Sequence, residues 1–299
     1  MSSNWRAWFL WVFAVLLAEP AVAQISVVDS VGRQVTLERP ARRIIALAPH
    51  IVENTYSAGA GDYLVGVTDY SNYPPAAKNI RRVGNYAAWS MEEIVALQPD
   101  LVLMWASGNG MHRLQAAERL GLTVYVNEPR KLADIPATIR AIGQLAGTTA
   151  ISEAEAARVE RKIDALRQHY SNQPRLSVFY QVWNQPLQTI NGEHLISHVI
   201  GLCGGENIYA DSPVLAPTIN IESVLARDPD AIIASGMDAA RPEWLDEWKV
   251  FSNMKAVRKQ ALLFIHPDLL QRPTTRVLEG ATIMCRQLEE LRNRLSLAE

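Results

Sequence analysis

Cysteine is scarce in this sequence: Cys203 and Cys285 are the only two among 299 residues. That scarcity excludes a disulfide-dense scaffold, and their wide spacing excludes a Cys-x-x-Cys redox motif. Charge of one sign is missing as well. The 29 basic residues nearly balance 31 acidic ones, which leaves no electrostatic footprint for nucleic acid. Past the first two dozen positions, no apolar run is long enough to cross a bilayer. Catalytic signatures are absent too. There is no Gly-x-Ser-x-Gly elbow, no His-Glu-x-x-His and no phosphate loop, and "SGNG" (107–110) reads only as a turn.

What is present begins with "MSSNWRAWFLWVFAVLLAEPAVAQ". One Arg precedes an apolar stretch of about a dozen residues, followed by Ala21-Val22-Ala23, which is the layout of a secretory signal peptide. Residues 1–23 are therefore expected to be removed by cleavage after Ala23. The stretch is short for a retained anchor, and no Cys lies beside it to take a lipid. An exported chain meets an oxidising compartment, where a Cys203–Cys285 disulfide is the default and two buried thiols are the alternative. Closing a loop of about 80 residues would contribute roughly 4–5 kcal/mol in the chain-entropy model.

The chain also repeats itself. "MEEIVALQPDLVLM" (91–104) returns as "IESVLARDPDAIIA" (221–234), with Glu92 and Glu222, Pro99 and Pro229, Asp100 and Asp230 in register. Around the first copy, "ISVVDSVGRQVTLERP" alternates as a hairpin. Apolar runs at 43–49, 64–70, 101–105 and 123–128 then alternate with helical stretches, including one N-capped by Ser90, with Glu93 completing a capping box. From 135 to 174 strand signals vanish, and two helical stretches flank "GTTAISEAE". Val159, Ile163, Leu166 and Tyr170 form one apolar stripe on the second. Alternation resumes in 175–299 and closes on a helix. The pattern predicts an α/β protein of two lobes (24–134 and 175–299), each a mainly parallel sheet flanked by helices, joined by one long rigid helix within 135–174.

Ligands of open α/β sheets collect beyond the carboxyl ends of the strands. The residues there are rich in aromatic groups with polar edges: Tyr70, Trp105 and Trp183, with Tyr86 from a nearby loop. Such a set suits a large, partly apolar ligand with polar fringes. His50 and His266 each follow a strand and could face the cleft. His194 and His198, four apart on a predicted helix, read as a solvated face rather than a metal site. Glu92 and Glu222 each favour a helix dipole, and their equivalence offers one acid per lobe to a partner with two-fold symmetry.

These residues resemble a known family. "VVDSVGRQVTLERPARRIIAL", "VGVTDYSNYPP", "MEEIVALQPDLVLMW", "CGGENIY" and "LARDPDAIIASG" are similar to the periplasmic solute-binding proteins of ABC importers that carry metal chelates and cofactors. Within these the chain looks most like the vitamin B12 (cobalamin) binders. The resemblance implies aromatic ligand contacts from Tyr70, Tyr86 and Trp105, and polar contacts from Asp268 and Arg272. It further implies docking of Glu92 and Glu222 on permease arginines, and a second-lobe disulfide between Cys203 and Cys285. Two positions depart from the pattern. Ala216 stands where such binders can have Trp, and the aromatic in "QVWN" is displaced by one residue.

The expectation is a monomeric, non-enzymatic periplasmic receptor that passes a corrinoid to ABC permease subunits. Cobalamin would be its cargo, with no resident cofactor, no bound metal and no nucleic acid partner. The same machine carrying a ferric siderophore or haem is the nearest alternative; Tyr70 or His50 could supply haem's axial ligand. A metal-dependent hydrolase is the distant one, for which the residues offer no set of nucleophile, base and orienter.

Overall fold

The computed structural model describes residues 24–170, 172–236 and 240–296. The expected signal peptide and its cleavage point lie outside the described residues. The hairpin of β1 (Ile25–Val28) and β2 (Gln34–Leu37) is antiparallel, as its alternation requires. Next come β3 (Ile44–Ala46), β4 (Leu64–Val67), β5 (Leu101–Trp105) and β6 (Val124–Asn127). They form a four-stranded sheet in the order β4-β3-β5-β6, with every pairing parallel. The second half opens on β7 (Leu176–Gln181) and a two-stranded antiparallel ribbon, β8 (Trp183–Asn184) with β9 (Leu187–Gln188). It then adds β10 (Gly205–Asn207), β11 (Ala231–Ala234) and β12 (Leu262–Phe264). The second sheet runs β10-β7-β11-β12, again all parallel.

Parallel sheets covered on both faces need side chains that are apolar on both sides. Ile44, Ile45 and Ala46 in β3 and all four residues of β11 are accordingly buried. The repeated Pro-Asp pair has a matching structural role in each sheet. Asp100 Oδ2 accepts from the backbone N–H groups of Arg42 and Arg43 at 2.8 and 3.0 Å. Asp230 Oδ2 accepts from the N–H and hydroxyl of Ser177 at 2.9 and 2.8 Å. Each aspartate thus pins the start of one strand (β5 or β11) to the start of its neighbour (β3 or β7).

Between the sheets, the helix Asp134–Ala146 ends at Gly147, whose φ of +68° suits a residue without Cβ. The connecting helix then runs 22 residues from Thr149 to Tyr170, about 33 Å at 1.5 Å per residue. It begins earlier than the sequence pattern placed it, because most of "GTTAISEAE" is helical and only Gly147-Thr148 breaks the chain. Its stripe Val159, Ile163, Leu166 and Tyr170 is buried. The stripe packs in one apolar cluster with Ile44 and Leu103 of the first sheet and Val178 and Ile233 of the second. A shared core therefore spans both sheets and the helix between them.

The disulfide Cys203–Cys285 is formed, with Cα atoms 4.5 Å apart. It staples the end of the helix Leu195–Leu202 to the closing helix Val277–Ser296, within the second half. The predicted capping box is only half made. Ser90 Oγ accepts from Glu93 N–H at 3.2 Å, but the Glu93 carboxylate pairs with Arg81, and the Ser90 N–H goes to Val83 O. Among the described residues, no helix is long and apolar enough to cross a membrane.

Candidate functional site

Strand β3 leads through Ala48 into the helix Pro49–Ser57, where Pro at the first helical position sets the turn. This places His50 at the carboxyl edge of the first sheet, buried against Trp105 at the end of β5. Their rings meet edge to face at 5.2 Å and 85°. Tyr86 joins from its loop, 6.1 Å from Trp105 and 47% exposed. What aligns these rings carries no signal in the sequence beyond a turn. Asn109, inside "SGNG", accepts from Trp105 N–H at 2.6 Å and donates to the carbonyls of Leu47 (2.9 Å) and Tyr86 (2.6 Å). Gly108 is needed beside it, since a Cβ there would lie 1.8 Å from the Trp105 ring. Tyr70 stands 74% exposed at the exit of β4, with its backbone in the left-handed region at φ +62°. That conformation is costly for a side chain of this size, and such outliers concentrate at functional positions.

From the second sheet come Trp183 and the segment after β12. Trp183 is partly exposed on its ribbon, with Nε1 bonded to Gln185 O at 2.9 Å. Among the described residues it makes no ring contact with Tyr70, Tyr86 or Trp105. His266 caps the helix Pro267–Leu270, its Nδ1 accepting from Asp268 N–H at 3.1 Å. Arg272 crosses between the lobes. Its Nη1 donates to Glu53 (2.8 Å) and Asn72 (2.9 Å), while Nη2 reaches the Tyr70 carbonyl (3.3 Å) and Asp268 (3.0 Å). Arg276 lies 3.5 Å from Glu53 and 3.8 Å from Asp268, with its guanidinium over the Tyr73 ring. Asn54 Nδ2 adds a bond to Pro273 O at 3.0 Å. Asp268, Arg272 and the Tyr70 backbone are thus brought together, beside a buried glutamate that the sequence pattern did not single out.

Burial shapes the charges here. His50 is pushed down to about 3, mainly by desolvation; Asn127 offsets part of this and nearby Arg272 adds to it. It is a neutral imidazole at physiological pH. Burial pushes Glu53 up, opposed by Arg272 and then Arg276. Several buried polar atoms meet no partner among the described residues, including Glu53 Oε2 and Asn54 Oδ1 at the lobe contact and His50 Nε2 and Asn127 Oδ1 in the first lobe. A groove of about 700 Å³ adjoins the same contact, lined by Glu53, Tyr56, Tyr73, Arg158, Arg276 and Ile283. None of the predicted ligand-contacting residues lines it.

His194 and His198 do not form a solvated face. Both are partly buried, and His194 Nδ1 accepts from Ile196 N–H as a helix cap. Burial, then Arg130, pushes His194 down to about 4. Among the described residues no cluster of His, Cys, Asp or Glu could hold a metal ion. Glu92 and Glu222 are exposed in the first turns of the helices Met91–Ala96 and Ile221–Arg227, capped alike by Ser90 and Asn220. Neither makes an ion pair among the described residues.

A family model described as periplasmic binding protein matches residues 44–269. The chain belongs to that family. It is 34% identical over 255 residues to a vitamin B12-binding protein of Vibrio campbellii, covering 85% of this chain and 92% of the relative. A vitamin B12-binding protein of Vibrio cholerae serotype O1 is 35% identical over 250 residues, covering 84% and 90%. The crystal structure of the periplasmic vitamin B12-binding protein BtuF of Vibrio cholerae superposes with a TM-score of 0.77 at 34% identity. That match covers 85% of this chain and 98% of the other. The periplasmic haem-binding protein HutB of Vibrio cholerae shares the fold at a TM-score of 0.72 and 20% identity, over 82% and 98%. The family's fold accounts for the two parallel sheets and the long helix between them. It is a family of solute-binding proteins, in keeping with the missing catalytic signatures.

Proposed function

We propose that this chain is a periplasmic receptor that captures a corrinoid of the vitamin B12 type and delivers it to an ABC permease. One observation carries the reading: similarity of 34–35% to vitamin B12-binding proteins over 84–85% of the chain. The site chemistry supports it. Tyr86 and Trp105, aligned by Asn109, offer flat apolar contact to a macrocycle, with Tyr70 and Trp183 adding exposed rings. Asp268 and Arg272 supply a polar edge for the amides around such a ring. Glu92 and Glu222 would engage the permease, one acid from each lobe. Residues 1–23 would direct export, so the mature chain would begin at Gln24.

Haem or a ferric siderophore is the second reading, since the haem-binding neighbour shares the fold. Its axial-ligand candidates differ in access: Tyr70 is 74% exposed, whereas His50 is buried beneath Trp105. Calorimetry of the mature chain with cyanocobalamin, haem and a ferric siderophore separates the readings. Cyanocobalamin is expected to bind with a Kd tighter than about 10 μM, near −7 kcal/mol. Weaker corrinoid binding alongside tight haem or siderophore binding would transfer the role to that ligand.

A further inference from the structure

The charges at the lobe contact bear on which ligands the cleft accepts. Two arginines from the second lobe, Arg272 and Arg276, lie with two carboxylates: Asp268 from their own lobe and Glu53 from the other. The Glu53 side chain is buried at 3% exposure, and the two arginine side chains are partly buried at 16% each. Both terminal nitrogens of Arg272 are already committed, to Glu53 and Asn72 on one side and to Asp268 and the Tyr70 carbonyl on the other. With Glu53 and Asp268 ionised, the quartet sums to no net charge. It offers a hydrogen-bonding edge without a free cation.

Resting on the corrinoid-receptor reading, we infer that Glu53 and Asp268 set the cleft's selectivity by charge. By neutralising Arg272 and Arg276, they admit a macrocycle fringed with neutral amides and disfavour one fringed with carboxylates. Glu53 is the positioning residue of the pair, because it acts through Arg272 from the opposite lobe. A site built for anionic ligands would leave such arginines unpaired so that they could fork onto a carboxylate.

The test compares two corrinoids of nearly the same shape: cobinamide, and a corrinoid whose peripheral amides are hydrolysed to carboxylates. Both are titrated into wild type, Glu53→Gln and Asp268→Asn at fixed ionic strength. Wild type is expected to prefer cobinamide by at least about tenfold. Each variant leaves one positive charge uncompensated and should narrow that preference at least about fivefold, by strengthening the carboxylate form. The affinity ratio is the readout because general loosening of the fold would weaken both ligands together. Asp268→Asn, at a more exposed position, keeps the test alive should Glu53→Gln fail to fold. Equal affinity for the two corrinoids in wild type, or an unchanged ratio in the folded variants, would overturn the inference. Failure of both cobinamide and cyanocobalamin to bind wild type would instead sink the receptor reading, and the inference with it; cyanocobalamin binding without cobinamide binding would overturn the inference alone.

Discussion

Trp105 carries more of the site than its ring alone. Its backbone N–H is held by Asn109, its face is approached by Gly108, and His50 meets it edge-on. Large rings locked this way serve as binding anchors, so Trp105→Ala should weaken corrinoid binding by about 2 kcal/mol, roughly 30-fold. Titration of folded variant against wild type checks this, and a change below about threefold would remove Trp105 from the contact set. His50 makes a separate prediction for stability. It stays neutral in the fold down to about pH 3, whereas in the unfolded chain it takes its proton near 6.5. Between those values the unfolded state binds more protons, so stability rises with pH there and is lost on acidification. His194, pushed down to about 4, acts in the same direction. Urea midpoints of His50→Gln should therefore fall less than those of wild type between pH 7 and pH 4. Parallel slopes would contradict the assignment. Tyr70, Trp105 and Trp183 could be singled out as candidates in the sequence because strand ends mark them. Asn109 could not, because a four-residue turn motif gives no sign of reaching back 62 residues to Leu47.

Strands and helices were visible as apolar runs and periodic stripes because parallel sheets bury both faces and leave little polar alternation to confuse the reading. The repeated Pro-Asp pair was equally visible. Its role was not, since the bonding partners lie 58 residues away for Asp100 and 53 for Asp230. Sequence spacing cannot reveal that two strand starts will lie side by side. Asp230→Ala leaves the Ser177 N–H and hydroxyl without their acceptor and removes the partner of Lys259 at 2.7 Å. A loss of about 2–3 kcal/mol is expected, given typical costs of charge-assisted bonds at partly buried sites. Denaturant unfolding measures it, and a loss under about 0.5 kcal/mol would show that the tie is redundant. The capping box shows a similar limit. A Ser at the cap and Glu three residues on were readable, but Arg81 takes the Glu93 carboxylate and the Ser90 N–H bonds Val83 O instead.

The whole molecule couples two sheets through one core and one helix, with polar contacts concentrated where Arg272 meets Glu53 across 219 residues of sequence. That distance explains why the resemblance could offer Arg272 as a ligand contact yet leave its lobe-bridging bonds unseen. On the outer surface, Glu92 and Glu222 occupy matching exposed positions on helices capped in the same way. Replacing both with Ala should leave corrinoid affinity within about twofold and abolish uptake in cells that depend on this receptor. Normal uptake by the double variant would refute permease docking through these acids, while unchanged binding with lost uptake would support it. The most direct measurement for the account as a whole is a crystal structure of the mature chain grown with cyanocobalamin. It should show the corrin ring against Tyr86 and Trp105, with its amides in hydrogen-bond contact with Asp268 or Arg272. A corrinoid seated elsewhere, with those rings uncovered, would contradict it.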